Sequence, residues 1–379
     1  MMIRDKYDLL GNAIQVTDAD YHVTTITRPA TLDTVTTCDP ANQCEILNKD
    51  AMGRRTIFTD KRGVKDVYTY DVLGRLTKAV FNSANKSPYD QRTINYTYDA
   101  NDRVTNISDT GGGIPNLPGN TIAYTYDGVD DLMAEQTSPG ATVSYHYDAA
   151  GKQTTMTAGS QPGVTYSYYD DDQLNTIATT NATATLTYDG DGRPSAMTVN
   201  NVSANKSVTT GYGYDVASRL TSMNYTATGN VNLGNLTFAY DQDGRILTKG
   251  GSLAGVTFPA VMSATYLNTN QIQIWSGIYA AADSANNLTQ NPLTFDNYTW
   301  DSKNELSTIN NIAHGYLYDA NGRRENATAN GYTTSYLHDG VAPVQASSGD
   351  TVQDFFYGPA GVMAFSTTAG GSTTTKIPT

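Results

Sequence analysis

The sequence is poor in charge, in tryptophan, in histidine, in cysteine and in long apolar runs. Only 16% of its 379 residues are charged, and it holds 2 Trp, 4 His and 2 Cys. No stretch approaches the roughly 18 consecutive apolar residues of a membrane-spanning helix, so no transmembrane segment is expected. Sustained helical periodicity is also missing, and the small-residue stretch Ala280–Asn287 is the best, short, local candidate. With 24 basic against 37 acidic residues the net charge is −13, and no Lys/Arg cluster offsets it. Such a surface repels phosphate backbones, which argues against a nucleic-acid partner. The opening MMIRDKYDLLGN lacks the apolar core of a secretory signal. A cytoplasmic protein, or one whose export signal lies outside these residues, is therefore expected.

The usual marks of catalysis are missing too. No Gly-x-Ser-x-Gly, phosphate-cradling glycine loop or His-Glu-x-x-His occurs. The histidines, His22, His146, His314 and His338, are scattered, and two of them replace a ring inside an aromatic strand segment. We therefore expect no catalytic residue, no metal ligand and no cofactor. Cys38 and Cys44 flank a short loop, CDPANQC, which a disulfide closes if the compartment is oxidising. Zinc would need further ligands.

Tyrosine is what the chain has instead. Of its 37 aromatic residues 27 are Tyr, a density that excludes a disordered chain. Most of them belong to one repeated pattern: aromatic-x-Tyr-Asp, two residues, a small or polar residue, then a basic one. The strongest copies place Tyr68, Tyr70, Asp71, Gly74 and Arg75; Tyr96, Tyr98, Asp99 and Arg103; Tyr145, Tyr147, Asp148 and Gly151. They continue with Tyr212, Tyr214, Asp215 and Arg219; Tyr240, Asp241, Gly244 and Arg245; and Tyr316, Tyr318, Asp319, Gly322 and Arg323. A further copy starts at Leu186, weaker ones start at Tyr124, Tyr166 and Tyr298, and two degenerate ones, YDLLGN and KDAMGRR, begin the series. The aspartate place of the motif falls at 8, 50, 71, 99, 127, 148, 169, 189, 215, 241, 301 and 319, with a last partial copy at Asp339. Most spacings are 20 to 28 residues, the length of one supersecondary unit.

That unit reads as a β-hairpin. Aromatics two residues apart share one face of a strand, and Tyr, Thr and Val all favour strands. The Asp suits the first position of a turn, where its carboxylate takes N–H groups ahead of it. Three residues later the copies hold Gly11, Gly53, Gly74, Gly151, Gly192, Gly244 or Gly322, or else Asp102, Asp130, Asp172 or Asn304. Those residue types tolerate a left-handed backbone, and Ser218 alone departs from the rule. The predicted fold is all-β, a tandem array of hairpins forming a spiralling, shell-like or solenoid sheet. Along the chain this gives degenerate repeats over 1–67, regular repeats over 68–249, degenerate repeats or an insertion over 250–297, further repeats over 298–365, and a tail over 366–379.

The recurring Tyr-Asp-x-x-Gly-Arg-Leu resembles the YD repeat of the Rhs family. That family includes bacterial Rhs proteins, the shell-forming components of insecticidal Tc toxin complexes, wall-associated proteins and animal teneurins. The likeness covers about residues 1 to 365, and the segment Asp354 to Phe365 is similar to one that often follows the last strong repeats. It implies a sheet of hairpins that wraps into a hollow shell. The Asp-Pro-x-Gly core that such toxins use for self-cleavage is not found, and the one Asp-Pro, Asp39-Pro40, lies in another context. Neither self-cleavage nor toxin activity is therefore implied.

Functional readings of the same residues stand beside structural ones. An Asp repeated about a dozen times is a turn former before it is an acid catalyst. The recurrent Arg would stack on a neighbouring Tyr or pair with an Asp and so bind adjacent hairpins, with a phosphate or sugar-acid site as the alternative. Asp189 to Gly192 and Asp241 to Gly244 faintly resemble calcium loops but lack the later bidentate Glu. Rows of Tyr could stack on glycans. Eleven Asn-x-Ser/Thr triplets, from Asn85 to Asn326, could carry sugars in a eukaryotic secreted protein.

The reading is a secreted or cell-surface, non-enzymatic scaffold. It would be part of an Rhs-like shell enclosing cargo, its partners the rest of a larger polypeptide or identical subunits. Alternatives are a glycan-binding adhesin and the subunit of a self-assembling fibre.

Overall fold

The computed structural model describes residues 5–29, 33–83, 91–110, 120–138, 140–202, 204–255, 264–310, 315–329, 331–358 and 361–376. His314, Asn85 and the end of the tail at 377–379 lie outside the described residues. Within them the chain forms strands and turns and no helix, so the fold is all-β. Ala280–Asn287 is not helical: it holds an isolated bridge, Ala282 to Leu288, around an Asp283 turn. Its small residues fill a hairpin turn rather than a helix face.

Strands from Lys6–Tyr7 to Ile246–Gly250 make one 22-stranded sheet. Wherever the register is described, each strand pairs antiparallel with the next in the chain. Val64–Tyr70 pairs with Leu76–Ser83, which pairs with Arg92–Tyr98. Ala182–Tyr188, Pro194–Asn201 and Lys206–Tyr214 repeat the arrangement. Such purely local pairing is what a tandem array of hairpins demands. Smaller sheets of 3, 2 and 7 strands follow.

Two residue patterns shape each hairpin. The register shifts just before the tyrosine that precedes the turn, at Thr69/Tyr70, His146/Tyr147, Thr187/Tyr188, Gly213/Tyr214 and Ala239/Tyr240. A bulge there accommodates the left-handed residue of the turn. The residue between the two aromatics (Thr69, Thr97, His146) is exposed, while the aromatics on either side are covered. The strands therefore have one wet and one covered face.

The chain divides into two compact units. One comprises Met1–Tyr124, Thr137–Pro139 and Pro259–Gly331, and packs Ile94, Ile107, Ile122 and Ala320 together. The other comprises Thr125–Gln136, Gly140–Phe258 and Tyr332–Thr379. Its core joins Val143, Val164, Ile177 and Val199 to Val344 and Phe356 from the C-terminal hairpins. The stretch 250–297 is not structureless: the strands Ala264–Tyr266, Ile272–Trp275 and Ile278–Tyr279 form a small sheet.

Candidate functional site

The turn is the same object each time. In Asp71-Val72-Leu73-Gly74-Arg75, the Asp71 N–H donates to the Arg75 carbonyl and the Gly74 N–H donates to the Asp71 carbonyl, at 2.9 and 3.0 Å. Asp71 Oδ1 accepts from the N–H groups of Leu73 and Arg75 at 3.0 and 2.9 Å, and Oδ2 accepts from Arg75 Nε at 2.7 Å. One carboxylate thus closes the backbone loop and fixes the arginine. Asp99, Asp189, Asp215 and Asp319 hold Arg103, Arg193, Arg219 and Arg323 in the same way.

These bonds set the acidity of the turn carboxylates. At Asp189 the Arg193 side chain, then its N–H, holds the carboxyl below the usual range. At Asp71 partial desolvation pushes upward, but the Arg75 N–H and guanidinium together outweigh it.

The left-handed position is occupied in every copy. Gly74 has φ +88° and Gly322 +77°, while Asp102, Asp172 and Asn304 take +64°, +70° and +63°. Ser218, the exception by residue type, adopts φ +61° all the same. The turn dictates the backbone there, and Ser bears the strain. At 169 the aspartate place holds Tyr169, whose N–H still donates to the Gln173 carbonyl at 2.8 Å.

Successive turns are then laced together. The Arg75 guanidinium lies over the Tyr98 ring, 4.7 Å from its centroid, and the Tyr98 hydroxyl donates to the Leu76 carbonyl at 2.7 Å. Arg219 and Tyr240 repeat this, at 4.9 Å, with the hydroxyl on the Leu220 carbonyl at 2.7 Å and Arg219 Nη1 on the Asp241 carbonyl at 2.9 Å. The pairs Arg54 with Tyr70, Lys152 with Tyr168 and Arg193 with Tyr214 are further rungs. Where the basic residue is lost the hydroxyl bond persists: Tyr147 donates to Leu132, and Tyr188 to Leu174. Each of the cation-bearing rungs uses the last tyrosine of one motif and the basic residue of the preceding one.

Further turns of this kind went unread in the sequence. Asp18, Asp39, Asp60 and Asp283 close identical loops, with positive φ at Tyr21, Asn42, Gly63 and Asn286. No aromatic precedes them, since Thr17, Cys38, Thr59 and Ala282 stand there. Strand alternation places Asp18, Asp39 and Asp60 on the edge of the sheet opposite Asp8, Asp50 and Asp71. Leu267 and Asp283 put two degenerate repeats inside 250–297, and Trp300 Nε1 completes a rung on the Leu288 carbonyl at 2.8 Å. Cys38 and Cys44 face each other across the Asp39 turn and are joined as a disulfide.

Each unit also buries a polar cluster. In the first, Arg92 is 6% exposed and its Nε donates to Asp109 at 2.6 Å. Its Nη1 meets Glu305 at 2.7 Å, and Nη2 donates to the Tyr318 and Asp319 carbonyls at 2.8 and 3.1 Å. Asp301, 3.6 Å from Arg92, is pushed up to about 6 by burial and then by the Glu305 carboxylate. Lys303 offsets part of that charge through Glu305 at 2.8 Å. In the second unit the Tyr145 hydroxyl donates to Asp339 at 2.6 Å, and burial raises its pKa far above the usual tyrosine range. The neighbouring Tyr166 is pushed up to about 12, again by burial.

Chemically, these groups are occupied with one another. The Asp189 and Asp191 carboxylates of the calcium-like sequence both bond Arg193, at 2.7 and 2.9 Å. Among the described residues no three His, Cys, Asp or Glu side chains converge in a metal-holding arrangement. No helix among them is long and apolar enough to cross a membrane.

Comparison with known proteins places this fold. No family model and no curated protein matches the sequence. Among solved structures, a chain of the TcdB2-TccC3-Cdc42 crystal structure superposes with a TM-score of 0.50 at 14% identity. The match covers 98% of this chain and 23% of that one. Chains of the TcdB2-TccC3-TEV and TcdB2-TccC3 crystal structures each give 0.47 at 12% identity. This chain thus spans about a quarter of the length of the structures it matches, and the likeness is one of fold.

Proposed function

We propose that this chain is a non-enzymatic wall segment: a β-hairpin scaffold of an Rhs-like shell, or of a secreted or cell-surface protein, that shields cargo. The observation that carries this reading is the ladder. In repeats such as those of Asp71 and Asp215, arginine, tyrosine and aspartate are spent on fastening one hairpin to the next. A wall needs that continuity, and a binding surface needs free rings. The fold likeness to TcdB2-TccC3, of which the match covers less than a quarter, supports a place within a larger polypeptide. The Cys38–Cys44 disulfide fits an oxidising compartment.

The test is the intact mass of the native polypeptide from its source, combined with protease digestion. A mass several-fold above 40.8 kDa, with an internal fragment protected until the wall is denatured, supports the shell. A native chain near 40.8 kDa with nothing protected contradicts it. Glycan-dependent quenching of tyrosine fluorescence would favour the adhesin instead.

A further inference from the structure

In the first unit the ladder loses its own cations over three successive turns. Four residues after the aspartate place, Arg or Lys gives way to Gln271, Asn287 and Glu305. The turns still close, since the Asp283 and Asp301 N–H groups donate to the Asn287 and Glu305 carbonyls at 2.9 Å. The missing guanidinium comes from elsewhere in the chain. In an ordinary rung Arg75 Nη1 donates to the carbonyl of Asp99, the aspartate of the following turn, at 3.3 Å. After the Glu305 turn that carbonyl belongs to Asp319, and its donor is Arg92 Nη2 at 3.1 Å. After the Asn287 turn it belongs to Asp301, and its donor is Arg62 Nη1 at 3.2 Å.

Both arginines stand on the edge of the large sheet that carries the Asp18, Asp39 and Asp60 turns. Further contacts run along the same edge. Asn270 Nδ2 donates to Asp18 at 3.0 Å, Asn120 Nδ2 to Glu325 at 3.1 Å, and Asn321 Nδ2 to the Tyr124 hydroxyl at 2.8 Å. Sheet edge and hairpins 264–329 are thus joined by polar side chains, and Ala320 is the buried apolar residue these hairpins add to Ile94, Ile107 and Ile122. The second unit is built otherwise, with Val344 and Phe356 of its C-terminal hairpins set in an apolar core. We propose that the polar seam of the first unit is a clasp pinned by Arg92, along which that unit opens and recloses while its hairpins stay folded. This goes beyond the wall-segment reading and does not depend on what the wall encloses.

The charges around Arg92 decide when the clasp opens. Asp109 faces it from its own sheet, and Asp301 and Glu305 face it from the hairpins, with Lys303 on Glu305. Alongside stand Arg62 with Asp60 and Asp283, Arg323 with Asp319, and Glu325. Carboxylates outnumber cations in this group, so each further ionisation adds repulsion. Burial favours the protonated form of both Asp301 and Glu325, and Asp301 titrates at about 6. In mild acid the clasp is therefore shut. As pH rises past this value Asp301 ionises beside Glu305, and the seam loosens.

The test uses the full chain with spin labels at two exposed positions on either side of the seam, Gln91→Cys and Asn268→Cys. Double electron–electron resonance reads their separation at about pH 5 and about pH 7.5, on either side of the Asp301 titration. Hydrogen exchange, corrected for its intrinsic pH dependence, reports on the hairpins in the same samples. The labelled chain gives one distance in acid and a second, longer one at neutral pH, which disappears on return to acid. Hairpin protection is the same at both. Arg92→Gln shows the longer distance at both pH values. Asp301→Asn combined with Glu325→Gln shows only the shorter one, and this variant decides the matter if Arg92→Gln does not fold. A separation indifferent to pH overturns the proposal, as does a double variant that still opens. Lengthening accompanied by lost protection inside the hairpins also overturns it, because that is unfolding and not the parting of a seam.

Discussion

Tyr98 rests beneath the Arg75 guanidinium of the preceding hairpin and returns its hydroxyl to the Leu76 carbonyl, 2.7 Å away. The two residues are 23 apart in the chain, yet they form one joint. Arg75 in turn is held by Asp71, whose other oxygen closes the turn. The repeat is therefore a mechanical relay: Asp orients Arg, Arg seats Tyr, and Tyr ties the next strand.

Removing only the hydroxyl isolates one link of that relay. Tyr98→Phe leaves the ring under Arg75 but strands the Leu76 carbonyl without its donor. We expect a loss of about 1 kcal/mol in the local stability of the strands Leu76–Ser83 and Arg92–Tyr98. Native-state hydrogen exchange reads it, and unchanged protection in both strands would count against the bond.

The left-handed corner carries its own cost. Gly74 sits at φ +88°, and a Cβ there would approach Arg54 Nη1 to 3.4 Å, an ordinary contact. Backbone strain therefore decides the effect of Gly74→Ala, about 1 kcal/mol of destabilisation. Gly74→Asn should cost less, because Asn tolerates this region. Equal losses for the two, measured by thermal melting, would show that the corner is not the cause.

Asp301 gives the first unit a distinctive pH response. Its folded carboxyl titrates near 6 against 3.8 when free, so between those values the native state holds the extra proton. Stability should fall as pH rises from about 4 to about 6 and level off above. Asp301→Asn keeps an acceptor for the Lys303 and Glu305 N–H groups, which Asp301 Oδ1 takes at 2.8 and 2.9 Å. It should abolish the slope and raise stability at neutral pH by up to about 3 kcal/mol. Turn carboxylates such as Asp189 are shifted the other way, and their contribution is lost only as pH falls below 3.8. Melting curves across this range separate the two windows; a wild type and variant with parallel profiles would exclude Asp301 as the source.

Phe356 anchors the other unit at 1% exposure, among Val344 and the strands near Val143. Phe356→Ala should cost about 3–5 kcal/mol through lost burial and a cavity. Exchange protection should fall first in the strands Thr142–Tyr147 and Val164–Tyr168. Retained protection there would mean that the C-terminal hairpins do not support this core.

Much of this architecture is legible in the residues because each hairpin is local. Tyr-x-Tyr-Asp writes the strand and the turn, and Gly or Asp three places on writes the corner. What escaped was whatever the repeat does not repeat. The Asp18, Asp39 and Asp60 turns lack the preceding aromatic, and Tyr21 is a poor advertisement for positive φ. The Arg92 cluster joins residues 213 apart, Arg92 and Glu305, and no local pattern brings them together. Ser218 shows the converse: the motif's geometry survives a residue that argues against it.

The relay itself is tested most directly by hydrogen–deuterium exchange on the Arg219→Ala variant. Arg219 has an identified partner on each side, Asp215 within its own turn and Tyr240 in the next hairpin. The account predicts faster exchange confined to Lys206–Tyr214, Leu220–Ala227 and Val231–Tyr240, with distant repeats untouched. Exchange that is unchanged in Val231–Tyr240, or that rises uniformly across the chain, would contradict it.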